Sequence, residues 1–69
     1  MTVFVNGSET QVPDGLAIAG LIETLALKPE RLAVELNRKI IRRSEWDSTR
    51  LSEGDKVEIV HFVGGGATR

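Results

Sequence analysis

Apolar and polar positions alternate with a period of two near both ends of the chain and in its middle, and a helical period intervenes once. Thr2-Val3-Phe4-Val5 is a strand-forming run, and the Asn6-Gly7 after it is the strongest short-range signal for a two-residue hairpin. The return strand, Ser8-Glu9-Thr10-Gln11-Val12, alternates weakly, as suits an outer strand with one wet face. Pro13-Asp14-Gly15 then breaks it. Between Leu16 and Leu27 the period changes: Ile18, Leu21, Ile22 and Leu25 stand at i, i+3, i+4 and i+7, one face of a helix. Asp14 is the expected N-cap, Gly20 a point where another element packs closely, and Pro29 the exit. Leu32, Val34 and Leu36 alternate with Ala33 and Glu35 in a third strand, and the polar turn Asn37-Arg38-Lys39 leads to a fourth, Ile40-Ile41-Arg42-Arg43. Ser44-Glu45-Trp46-Asp47-Ser48 reads as a single turn capped by Ser44, with Trp46 packed inward rather than stacking on a ligand. Leu51 and the turn Ser52-Glu53-Gly54-Asp55 introduce a last strand, Val57 to Val63, rich in β-branched and aromatic residues.

A hairpin, a crossover helix, a second pairing and a last strand make a mixed sheet of four to five strands with one helix packed across it, the first and last strands central. This is the α+β, β-grasp or ubiquitin-like, arrangement. It assigns residues 1–63 to one domain and 64–69, Gly64-Gly65-Gly66-Ala67-Thr68-Arg69, to a flexible glycine-rich tail.

Composition narrows the chemistry. The chain has 69 residues and no cysteine, so disulfides, thiolate metal sites and a thiol nucleophile are excluded. A single histidine, His61, builds neither a histidine-rich metal site nor a catalytic pair, and it is read as packed or solvated beside the tail. Stability must come from a small apolar core, for which a 41% hydrophobic content suffices. A net charge of −1 with interspersed signs gives no pull toward nucleic acid. No apolar run approaches a membrane span, and the N-terminus carries no basic-then-apolar leader, so a cytoplasmic protein, monomeric by itself, is expected.

Several stretches together resemble the ThiS family, the sulfur carriers of thiamine-thiazole biosynthesis: Val3-Phe4-Val5-Asn6-Gly7, the helix Ile18 to Leu25, Val34-Glu35-Leu36-Asn37, Ile40 to Trp46, Glu53-Gly54-Asp55-Lys56-Val57-Glu58-Ile59, and the glycine tail. The resemblance implies a carrier and co-substrate rather than an enzyme. It implies no bound cofactor or metal, ATP and magnesium being used by a partner, an adenylating enzyme of the ThiF or ubiquitin-activating type. That partner would adenylate the carboxylate of Gly66 (or Gly65), sulfur would displace AMP, and the thiocarboxylate would pass to a thiazole synthase of the ThiG type. Gly64 and Gly65 suit a segment that threads a narrow channel, since they carry no side chain. The family's chains end at the glycine, whereas Ala67-Thr68-Arg69 follows it here; proteolytic trimming or a cloning remainder is expected rather than the third account, a carrier that has lost the chemistry.

On the last strand, alternation places Val57 and Ile59 in the core and Val60 and Phe62 on the other face, with Phe4 on a neighbouring strand, as an apolar partner surface. Three other functions fit the same tail. They are the small subunit of molybdopterin synthase, whose chains are usually longer; a protein modifier joined to a lysine; and an interaction module whose tail does nothing.

Overall fold

The computed structural model describes residues 1–62. Five strands, β1 (Thr2–Val5), β2 (Ser8–Gln11), β3 (Leu32–Leu36), β4 (Lys39–Ile41) and β5 (Lys56–His61), form one sheet in the order β2-β1-β5-β3-β4. The first and last strands are adjacent and parallel, with Phe4 opposite Lys56 and Val5 opposite Val57. The other pairings are antiparallel, so the sheet is mixed, as the order of apolar periods predicts. Helix α1 (Ile18–Thr24) covers one face.

The core follows from the two periods. Val3, Val34 and Val57 from three adjacent strands meet Ile18, Leu21 and Ile22 of α1, all six fully buried. Trp46, Leu51, Val12, Leu32 and Ile59 close the margins. Trp46 is in the core as expected, and its indole N–H donates to the Ile41 carbonyl at 2.9 Å, so burial leaves it no unpaired group. Among the described residues no helix is long and apolar enough to cross a membrane.

Both turns that flank β5's neighbours use positive φ at two residues. Asn6 (49°) and Gly7 (84°) join β1 to β2, and Asn37 (52°) and Arg38 (73°) join β3 to β4. That is the type I′ geometry, whose twist matches the strands it joins.

The helix ends differ from expectation. It spans seven residues, and its N-cap is Ala17, not Asp14, whose carboxylate lies 3.3 Å from the N-terminal ammonium instead. Ala17 has no side chain to offer, and two first-turn donors are met from elsewhere. Ile18 N–H donates to the Thr49 carbonyl at 3.0 Å and Ala19 N–H to the Trp46 carbonyl at 3.1 Å. At the other end Ala26 takes φ 58°, its N–H donates to the Glu23 carbonyl and Leu27 N–H to the Ile22 carbonyl. This is a Schellman termination with alanine where glycine is usual, and it stops the helix before Pro29, which opens a 3-10 turn at Pro29–Arg31. The close approach at Gly20 comes from Leu16, just ahead of the helix: a Cβ at Gly20 would lie 2.6 Å from Leu16 Cδ1. Ser44 lies inside a second 3-10 turn, Arg43–Glu45, whose cap position is Arg42, with no side-chain cap.

Candidate functional site

Strand β5 is central, and its alternation decides what it presents. Hydrogen bonding to β3 runs from Leu36 opposite Val57 to Leu32 opposite His61, and Phe62 N–H extends it by donating to the Arg31 carbonyl at 2.8 Å. With Val57 and Ile59 turned to the helix, Glu58, Val60 and Phe62 face the uncovered side of the sheet. Val60 is 54% and Phe62 57% exposed, unusual for large apolar side chains on a central strand and its extension. Ala33, opposite Val60, adds a small apolar neighbour from β3. His61 is exposed at the end of the strand.

Phe4 occupies the same open face but not the same patch. It pairs with Lys56, four residues before Val60, a separation of roughly 13 Å along the strand. Phe4, half-buried, lines a shallow depression of about 320 Å³ with Gly7, Lys56 and Glu58. Glu58, opposite Glu35, stands between it and Val60. The sheet therefore brings Val60 and Phe62 together and leaves Phe4 apart.

Two apolar residues depart from the sequence reading: Leu25, expected on the buried helix face, is the C-cap of α1 and 37% exposed, and Ile40 lies on the open face. Ile40 on β4 is 74% exposed and pairs with Glu35, so it shares the open face two strands from β5. The doubled Ile40-Ile41 was its only signal, since a strand with one buried face has room for one of the two. A larger groove, about 780 Å³, lies on the other side between α1 and the Arg43–Glu45 turn, with Gly20, Ala26, Leu27 and Trp46 among its lining residues. It contains none of Phe4, Val60 and Phe62. Among the described residues no three His, Asp or Glu side chains converge as metal ligands. Gly64, Gly65 and Gly66, the residues expected to carry the chemistry, lie outside the described residues.

A mixed five-stranded sheet with one helix on one face, its central last strand leading toward a C-terminal glycine run, defines a β-grasp protein. The family model described as "ThiS family" matches residues 2–66, and the chain belongs to that family. It is 35% identical over 63 residues to the sulfur carrier protein ThiS of Bacillus subtilis, covering 90% of this chain and 96% of that one. A thiazole synthase of Magnetococcus marinus is 36% identical over 66 residues, 96% of this chain; the match spans only 20% of that longer relative. Among solved structures, the thiamine biosynthesis protein ThiS of Geobacter metallireducens superposes with a TM-score of 0.84 at 35% identity, covering 96% of this chain and all of that one.

Proposed function

We propose that this chain is a sulfur carrier for thiamine-thiazole biosynthesis that holds sulfur as a thiocarboxylate on Gly66. The observation that carries the reading is the exposed pair Val60, on the last strand, and Phe62, just past its end, four residues or fewer from the first glycine of Gly64-Gly65-Gly66 in a ThiS-family chain. An apolar patch on a small domain is a recognition surface, and a run without side chains enters an active site that would exclude any other.

The chemistry follows from the carboxylate. It is a poor electrophile because its charge is delocalised, and hydroxide or oxide is a poor leaving group. Attack of a Gly66 carboxylate oxygen on the α-phosphorus of ATP expels pyrophosphate and forms an acyl-adenylate. A reduced sulfur nucleophile, sulfide or its equivalent, then adds to the acyl carbon, and AMP leaves with the C–O bond's electron pair. ATP and magnesium belong to a ThiF-like adenylating partner that binds the Val60/Phe62 patch, and the carrier is a co-substrate with no catalytic group of its own. Likeness to a segment of a thiazole synthase supports a thiazole synthase as the recipient.

Gly66 can be adenylated only when its own carboxylate is free, so a chain ending at Gly66 is expected to react there and the 69-residue form, in which Gly66 is amide-bonded to Ala67, only after cleavage. Incubating both with the adenylating enzyme, ATP and sulfide and weighing the intact products tests this. The expected product has one sulfur in place of one oxygen at the terminus of the shorter form alone. Equal modification of both forms would place the reacting group elsewhere, and no modification of either would favour an interaction module.

A further inference from the structure

Strand β1 leaves the sheet at Asn6, yet β5 runs on toward the glycine tail, and the edge it presents to β1 loses its partner after Val57. The parallel ladder is regular up to that point: Phe4 N–H donates to the Asp55 carbonyl and Asn6 N–H to the Val57 carbonyl, both at 2.8 Å. The next rung would run from Ile59 N–H to the Asn6 carbonyl and from Ser8 N–H to the Ile59 carbonyl, but from Asn6 on the chain has turned away into the hairpin. The Asn6 side chain takes that place. Its Oδ1 accepts from Ile59 N–H at 2.7 Å and its Nδ2 donates to the Ile59 carbonyl at 3.2 Å. A carboxamide has the donor and acceptor of a peptide group, and here it continues the ladder by one residue without any strand.

We propose that Asn6 is a positioning residue for the partner-binding end of β5: its side chain clamps the strand at Ile59, on the edge that β3 does not hold, and so fixes how Val60 and Phe62 are presented on the open face. This rests on the sulfur-carrier reading. Ile59 immediately precedes the exposed Val60. A surface fixed before the partner arrives loses less freedom on binding than one that must be ordered in the complex.

The test compares chains ending at Gly66. Asn6→Gly keeps the turn, because glycine accepts φ near 49°, and removes both side-chain bonds. Asn6→Asp keeps an acceptor for Ile59 N–H and loses the donor. Val12→Ala truncates a buried residue away from β5 and serves as the stability control. In Asn6→Gly, amide exchange at Ile59 is expected to accelerate while Leu21 and Val34 stay protected. Its kcat/KM for adenylation should fall about tenfold, as loss of two modest hydrogen bonds allows, with the change in KM rather than kcat. Asn6→Asp should fall between it and the parent, and Val12→Ala should lower the melting temperature with kcat/KM unchanged. Equal adenylation of Asn6→Gly and the parent, or an equal loss in Val12→Ala, overturns the inference and leaves the carrier reading standing. A parent that is not adenylated overturns the carrier reading, and this inference with it.

Discussion

The two faces of the sheet are built from the same strands and do different work. On the helix side, Val3, Val34 and Val57 are fully buried against Ile18, Leu21 and Ile22. On the open side, Ile40, Val60 and Phe62 stay exposed beside Glu35 and Glu58. In β5, neighbouring residues belong to opposite regimes, Ile59 to the core and Val60 to the surface. On the proposed reading, stability and recognition are carried by alternate positions of one strand, and a substitution can address one while sparing the other.

The largest effect should come from the covered face. Leu21→Ala removes a fully buried side chain at the centre of the core and should cost about 2–5 kcal/mol in denaturant unfolding. In so small a domain that is a large share of the total, and a change below that range would mean the core collapses around the gap. Next comes Trp46→Phe at the core's margin. It deletes the bond to the Ile41 carbonyl and should cost about 1–3 kcal/mol, with the loss of tryptophan fluorescence as the check on the exchange.

Phe62→Glu tests the open face. Unfolding free energy should move by less than about 0.5 kcal/mol, since the side chain is exposed. Affinity for the adenylating enzyme should fall at least about tenfold, measured by calorimetric titration, as expected of an apolar anchor. Unfolding of this variant would assign Phe62 to the core. The smallest effect concerns a residue on neither face. Ala26→Gly relieves the left-handed conformation at the end of α1, and should raise stability by about 0.5–1 kcal/mol with affinity for the partner unchanged.

Much of this protein was determined by sequence alone. The alternations around Val3, Val34 and Val57, and the helical spacing of Ile18, Leu21 and Ile22, establish which residues are buried, because a strand and a helix each turn fixed positions inward; Leu25, the fourth of that helical series, falls at the C-cap and stays exposed. The Asn6-Gly7 turn was equally plain, since its residue types suit the backbone it requires. The helix ends were not. Asp14 is a good cap by type, but the helix starts only at Ile18, and its first donors, Ile18 and Ala19 N–H, are met by the carbonyls of residues 49 and 46, distant in sequence. The exit at Ala26 carries no glycine to announce it. At the candidate site, the exposure of Val60 and Phe62 followed from parity, whereas the separation of Phe4 from them depends on the register of β1 against β5. The reach of Asn6 to Ile59 is written in no local pattern, and the doubled Ile40-Ile41 does not say which of the two stays exposed. Both are decided when one strand is laid beside another, because pairing register, unlike periodicity, is a property of two segments at once.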